Sequence, residues 1–428
     1  MIPAPSSAGL DRRAAFRLLF GSLLVVGIGN SMLYAILPPL WRELGLADAS
    51  IGWIFALSAL IWVFASPSWG RRSDRAGRKP IITLGLAAYG ASMSLMALVV
   101  EAGREAWISG IAVFIGLMLA RAIFGALGSA ASPAAQAYVA DRTSPSERTT
   151  EIAALTAAFA LGSAMGPGLA AAIAARVSLV APIWITAGLA FLAALAIWRF
   201  LPGDAAPVRD PALTKVKEPG PWGLALDKRV SGHLLFGVGM SVVTGTLTQT
   251  FTFYLMDRLS LSGAAGAEQA AIGFMVGALA ALASQMGLVG RLKLSPRGLM
   301  AFGIALVALG VGTQIVAHSL GGLMLAQMLQ GLGFGLARAG FSGGASTAVS
   351  PQEQGAVAGL VVAANGAGFV VSPLVGGVAY DALGMTAPLW LSLVLSVAMI
   401  WFALQSKRLA APAWAPNGSE PGQGAENP

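Results

Sequence analysis

The sequence predicts an all-α integral membrane protein, with twelve transmembrane helices in two six-helix bundles related by a parallel internal repeat. Three observations predict it. Long uncharged apolar runs recur along the chain, basic residues concentrate in alternate connecting segments, and the second half repeats short strings of the first at a constant offset. The 428 residues are 56% hydrophobic and 11% charged, with mean hydropathy +0.73, too apolar for a soluble domain. A net charge of +8 would suggest nucleic acid in a soluble protein, but in a membrane protein the retention of basic loops in the cytoplasm accounts for it. No cysteine is present, which excludes disulfides and thiolate metal sites. His233 and His318 form no metal-binding pattern, so neither a metal nor a cofactor is expected.

About 20 apolar residues, rising about 1.5 Å each, cross the roughly 30 Å of hydrocarbon. A polar cytoplasmic segment, 1–17, carries Arg12, Arg13 and Arg17 and precedes the first run, 18–40, which is too long for a signal peptide. Spans at 51–69, 81–100, 106–139, 152–175 and 177–199 complete a first bundle, 18–200. The stretch 201–229, with Pro202, Pro207, Pro211, Pro219 and Pro221, reads as a cytoplasmic linker. The second bundle, 230–406, holds spans at 230–256, 270–290, 298–317, 320–349, 355–380 and 382–406. A tail rich in Pro, Gly and Asn, 407–428, reads as disordered and cytoplasmic.

Placing both termini inside puts 21 of the 27 Lys and Arg in cytoplasmic segments. The external loops then hold Arg42, Arg104, Arg176 and Arg258, and inversion would reverse the bias. Trp41, Trp107, Trp198 and Trp401 sit at span ends, as an interfacial belt requires.

The repeat is explicit. The string LMLA at Leu117 recurs at Leu323, Ser144 and Glu147 of SPSE recur as Ser350 and Glu353 of SPQE, and Pro167 recurs as Pro373, each 206 positions on. LLFG at Leu18 recurs at Leu234, offset by 216. Between the second and third spans lies GRRSDRAGRKPII, with Gly70, Asp74, Arg75, Gly77, Arg78 and Lys79. This pattern resembles the loop signature of the major facilitator superfamily, with Arg72 where that family usually has Leu. Parallel six-span halves joined by a cytoplasmic linker also fit that family. The resemblance implies that this loop, through Asp74, Arg75 and Arg78, locks one end of a transporter shut and releases it during the cycle.

Charge within the hydrocarbon costs about 2.5 to 3.5 kcal/mol at mid-span, so it marks function. Two residues qualify. Arg121, with Gly125, resembles the family's Arg-x-x-x-Gly motif of the fourth helix, which implies that it faces the cavity and serves protons or substrate. Arg338 lies in the tenth span, with Gln327, Gln330 and Phe334 spaced to share its face. Asn30, Tyr34, Thr244, Thr248, Gln249, Thr252 and Asn365 are further cavity candidates, with helix-to-helix hydrogen bonding as the alternative. Gly162, Gly166 and Pro167 resemble the Gly-x-x-x-Gly-Pro motif of exporters in this superfamily, and small-residue packing with a helix bend is their physical content.

All 19 acids lie in loops, tails or span ends. The tetracycline exporters that the first half resembles carry an Asp in the first helix, and alignment on Leu37 and Pro38 puts Val26 there. A cavity with cations and no acid favours an anionic, zwitterionic or neutral amphipathic substrate. Proton coupling would fall to Arg121, Asp74, Asp141 or Glu151. The resemblance therefore implies a monomeric secondary exporter of the inner membrane, driven by the proton gradient, whose partners are a small molecule, protons and lipid, and not nucleic acid. An importer or facilitator of an organic anion and a non-transporting sensor remain open; an enzyme does not fit, because no His or acid cluster lies within the spans.

Overall fold

The computed structural model describes residues 7–203, 221–350, 353–406 and 409. Residues 1–6, most of the linker expected at 201–229 and all but Leu409 of the tail expected at 407–428 lie outside the described residues. Every regular element among those described is helical. Among the described residues, eleven helices are long and apolar enough to cross a membrane, and a bent pair, Ser50–Ser66 and Ser68–Ala76 at 46°, makes twelve when counted as one span. The break falls at residue 67, a proline, which cannot supply the helical N–H.

The first half comprises α1 (Ser7–Glu43), α2 (Ser50–Ala76), α3 (Arg78–Arg104), α4 (Ile111–Ala140), α5 (Pro145–Ala174) and α6 (Ala181–Phe200). The second comprises α7 (Lys228–Leu259), α8 (Gly263–Leu292), α9 (Pro296–Val316), α10 (Leu320–Thr347), α11 (Gln354–Leu383) and α12 (Ala387–Gln405). A 3₁₀ turn, Gly128–Ala130, interrupts α4, and a π turn, Ser284–Leu288, interrupts α8.

The helices outrun the apolar runs that announce them. The basic stretch after Trp69 is not a loop: α2 continues to Ala76 and α3 starts at Arg78, with Gly77 alone between them. Gly77 has φ 93°, which side-chain-bearing residues rarely adopt, so a single glycine reverses the chain. Trp41 also departs from its expected place in the interfacial belt. It is fully buried, and its indole N–H donates to the Ala47 carbonyl at 2.9 Å and to Ser50 Oγ at 3.0 Å, pinning the turn after α1.

Close helix approach follows the repeat. A Cβ at Gly162 or Gly166 of α5 would intrude on the backbone carbonyls of Leu24 and Ile28 in α1, so these glycines let two backbones meet. Gly368, 206 positions after Gly162, meets Ser241 and Val242 of α7 in the same way. At the next contact the small residue changes sides. Gly166 faces Ser31 in the first half, whereas Ser372 faces Gly245 in the second.

The halves meet unevenly along their length. Gly359, Gly366, Pro373 and Gly377 share one face of α11 by their spacing. Near the end carrying the turn 44–49, a Cβ at Gly377 would come within 3.1 Å of the Ala49 carbonyl, and one at Gly52 would strike the carbonyl of Pro373. Midway, a Cβ at Gly366 would stand 3.7 Å from Val63; at Gly359 it would meet nothing within 4 Å. The second and eleventh helices therefore diverge toward the basic end, which carries Arg71, Arg72, Arg75, Arg78 and Lys79.

Candidate functional site

Arg121 of α4 occupies the centre of an aromatic box in the first half. It is only 3% exposed, and its guanidinium carbon lies 4.5 Å from the centroid of Phe124 and 5.4 Å from that of Phe55. Three further rings complete the wall. Tyr34 stacks on Phe55 with centroids 5.2 Å apart, while Trp62 and Tyr89 each lie 5.1 Å from Phe124. The helix period explains the convergence: Phe55 and Trp62 on α2, and Arg121 and Phe124 on α4, are spaced to share a face. Ring faces attract a cation, but they offer no lone pairs in the guanidinium plane.

Nη2 of Arg121 donates to Asn30 Oδ1 of α1 at 3.1 Å, whereas Nε and Nη1 are buried without a hydrogen-bond partner among the described residues. Buried polar groups are ordinarily satisfied, and a buried cation with free donors is costly unless an anion or a strong acceptor joins it. The box can therefore hold an oxyanion against two fixed donors, with apolar or aromatic groups against the rings.

The other candidates are distributed. Gln330 lies inside the second half, where its Nε2 donates to Gln314 Oε1 at 2.7 Å and the Tyr254 hydroxyl donates to the Gln314 carbonyl at 2.6 Å. Asn365 Oδ1 accepts from Ser241 Oγ at 3.1 Å, and the Thr244 hydroxyl donates to the Met240 carbonyl of its own helix at 2.8 Å. Gln327 is buried and Thr248 half-buried. Gln249 lines a small pocket with Asp48, Thr250, Phe253 and Tyr380. Arg338 is exposed, and its guanidinium has no partner among the described residues. Among the described residues, no hydrogen bond or cation-π contact joins any of these to Arg121. The hydroxyl of Thr252 crosses between halves and donates to the Tyr34 carbonyl at 2.6 Å.

At the basic end, Arg78 bridges Asp74 at 2.6 Å and Asp141 at 2.9 Å, and donates to Ser73 Oγ at 2.6 Å. One guanidinium thus ties the ends of α2, α3 and α4. Arg75 is exposed and Lys79 half-exposed. Arg72 lies 5.0 Å from the Trp69 ring, a cation-π contact that gives the departure from the family pattern a packing role. A Cβ at Gly70 would meet nothing within 4 Å. Glu151 lines a cleft of about 250 Å³ with Arg13, Phe16, Arg17 and Phe20.

The repeated Ser-Pro-x-Glu strings build matching caps. Glu147 pairs with Arg12 at 3.3 Å, and Glu353 with Arg229 at 3.2 Å. The Arg12 charge and then Ser144 hold the Glu147 carboxyl below its ordinary value; for Glu353 the Ser350 N–H is the first cause, followed by Arg229. Two features go beyond the sequence expectations: the rings of Phe55, Trp62, Tyr89 and Phe124, which join the expected Tyr34 around Arg121, and a polar bridge at the opposite end. There Arg42 donates to Asp257 across the halves at 2.6 Å. Nothing local in the chain signals either, since both form only where separate helices pack.

A family model described as Major Facilitator Superfamily matches residues 19–293 and 286–425. The tetracycline resistance protein, class D, of Salmonella ordonez is 34% identical over 154 residues, which cover 35% of this chain and 35% of that protein. Multidrug resistance protein 2 of Bacillus subtilis is 28% identical over 149 residues, covering 35% and 34%. The chain thus aligns with about a third of the length of these relatives. In structure it resembles a bacterial homologue of the human lysosomal transporter Spinster, in an inward-facing and occupied conformation. The TM-score is 0.76, over 95% of this chain and 99% of that one, at 16% identity. The chain belongs to the major facilitator superfamily, a family of membrane transporters and not of enzymes.

Proposed function

We propose that this protein exports a small anionic, zwitterionic or neutral amphipathic molecule across the inner membrane by alternating access, in exchange for protons. The observation that carries the reading is the Arg121 box. A guanidinium with two free donors and aromatic walls suits a ligand with an oxyanion or strong acceptor at one end and an apolar body. A lipophilic cation would meet a like charge there.

The positive-inside bias puts the basic end in the cytoplasm, with both termini there. The halves are joined at the opposite end, so the structure corresponds on this reading to an inward-facing state, ready to load cytoplasmic substrate. The resistance names of the sequence relatives support the direction of transport. The protein works as a monomer with no bound cofactor, and the proton gradient supplies the energy. Asp74 and Asp141 are candidate proton carriers at the basic end, where both share Arg78, and Glu151 is a third.

A facilitator or importer of an organic anion is the second reading. It is favoured by one observation: no Asp or Glu occupies the middle of a described span. Substrate-induced proton flux in inverted vesicles separates the two. Anionic or zwitterionic amphipaths should trigger proton efflux that Arg121→Ala abolishes, flux with cations alone would overturn the charge argument, and transport without proton flux would favour the facilitator.

A further inference from the structure

At the opposite end, charged groups of both halves converge on one guanidinium. Arg42, in the last turn of α1, donates to Asp48 of its own half from Nε at 3.1 Å to each oxygen and from Nη2 at 2.5 Å. It also donates to Asp257 at the end of α7, from Nη1 at 2.6 Å and Nη2 at 3.0 Å. The Tyr380 hydroxyl donates to Asp257 at 2.5 Å, and the Ala49 N–H donates to Asp381 at 2.8 Å. Neighbouring charges are engaged elsewhere. Glu43 pairs with Arg104 at 3.3 Å, and Arg258 donates to the carbonyls of Ile315 and Ala317 at 2.8 Å.

The first half brings Arg42 and Asp48 to this junction, formally neutral together. The second brings Asp257 and Asp381, two negative charges. Closure therefore sets Asp48 against two carboxylates and leaves only 16% of its side chain exposed. Lost water and like charge both disfavour an ionised Asp48, and its one cation is shared. A proton on Asp48 leaves Arg42 undivided on Asp257, and turns the first-half face from neutral to positive against a negative partner. A proton on Asp257 weakens the same attraction. The two carboxylates thus act with opposite sign.

We propose that Asp48 is the proton-linked residue of this gate, taking up a proton from the outer side as the halves close there and giving it up as they part. Outer acid then favours the closed gate. The inference goes beyond the proton-exchange reading: the proton comes from and returns to the outer side, so Asp48 sets the closed-to-open ratio of the outer gate and carries no proton across the membrane.

The chemistry of Asp48 in the closed state agrees. Burial raises its pKa above the ordinary 3.8 and outweighs Arg42, with Asp381 and Asp257 adding to the rise. A group whose proton is held more tightly in the closed state stabilises that state fully at low pH. The stabilisation fades as pH rises through the closed-state value, so the window lies above 3.8.

The chain contains no cysteine, so a pair of introduced labels reports without background. Val177 and Val316 suit Val177→Cys and Val316→Cys, because they are 73% and 69% exposed, belong to opposite halves and lie outside the gate. Spin-label distances would be measured in reconstituted protein between about pH 8 and about pH 4.5, a span that brackets shifted carboxylates. The short-distance population of the wild type should grow with acid, by up to about tenfold in the closed-to-open ratio per pH unit for one linked proton. In Asp48→Asn the short distance should dominate throughout and the pH slope should vanish, whereas Asp48→Glu should restore a slope.

An unchanged slope in Asp48→Asn, a wild-type distance that lengthens in acid, or a wild type with no pH response would each overturn the inference. Transport that moves no protons while the Asp48-dependent distance response persists would defeat the proton-exchange reading and leave the gate intact.

Discussion

At the basic end Arg78 joins Asp74 and Asp141, both in its own half; at the opposite end Arg42 joins Asp48 in its own half and Asp257 in the other. The chemistry is the same and the mechanical result differs. The Arg78 cluster binds three helix ends of one half into one unit. The Arg42 cluster, with Thr252 and Ala49, ties the units together. A transporter that rocks two rigid halves needs both kinds of contact, internal ones that persist and crossing ones that break. The glycine face of α11 has the same polarity, close to α2 near Gly377 and free of it near Gly359.

The strongest way to break this contrast is steric. Gly52→Leu drives a side chain into the carbonyl of Pro373 across the halves, and overpacking of this kind costs about 1–3 kcal/mol. Spin-label distances at the opposite end should lengthen, with the closed-to-open ratio falling about tenfold to a hundredfold. Gly359→Leu, at the basic end of the same interface, should leave that distance unchanged and hinder closure at its own end.

A smaller effect sharpens the electrostatic comparison. Arg42 and Asp257 are about a third exposed, so Arg42→Ala should shift the same ratio by roughly fivefold, about 1 kcal/mol. Arg78→Ala should lower thermal stability by a comparable amount without moving the opposite-end distance. Equal shifts of that distance in both variants would erase the distinction between internal and crossing networks.

Least in size is the pH response of the repeated caps. Glu353 is held below its ordinary value of 4.5, so its stabilisation of the start of α11 is present above that value and is lost as pH falls below it. Glu353→Gln should lower the melting temperature slightly at neutral pH and match the wild type in strong acid. A deficit that persists in acid would point to packing instead.

Much of the fold was legible because its signals are local or periodic. Apolar runs gave the spans, and strings such as LMLA gave the repeat, which packing repeats in turn at Gly162 and Gly368. Span ends were less legible: charged residues can extend a helix beyond the hydrocarbon, so the stretch after Trp69 continues α2 up to a single left-handed glycine. Site residues divide along the same line. Asn30 and Arg121 could each be picked out by being polar within a span, and they share a hydrogen bond. Tyr89 and Phe124 could not, since aromatic residues in a span are ordinary until packing brings them to one cation. Gln330 has the composition of a cavity residue, yet its partner, Gln314, stands on the neighbouring helix of the same half. The pair of Arg42 and Asp257 lies 215 positions apart, and a linear reading sees only two loop charges on unrelated spans.

Equilibrium binding of three amphipaths that differ only in a carboxylate, a neutral amide or an ammonium head, to wild type and Arg121→Ala, bears most directly on the central claim that Arg121 receives an oxyanion. The carboxylate should bind wild type tightest, and the variant should lose that preference by roughly tenfold to a hundredfold, as expected for a charged hydrogen bond worth about 1.5–3 kcal/mol. Tightest binding of the ammonium compound, or an unchanged order of affinities in the variant, would contradict the account.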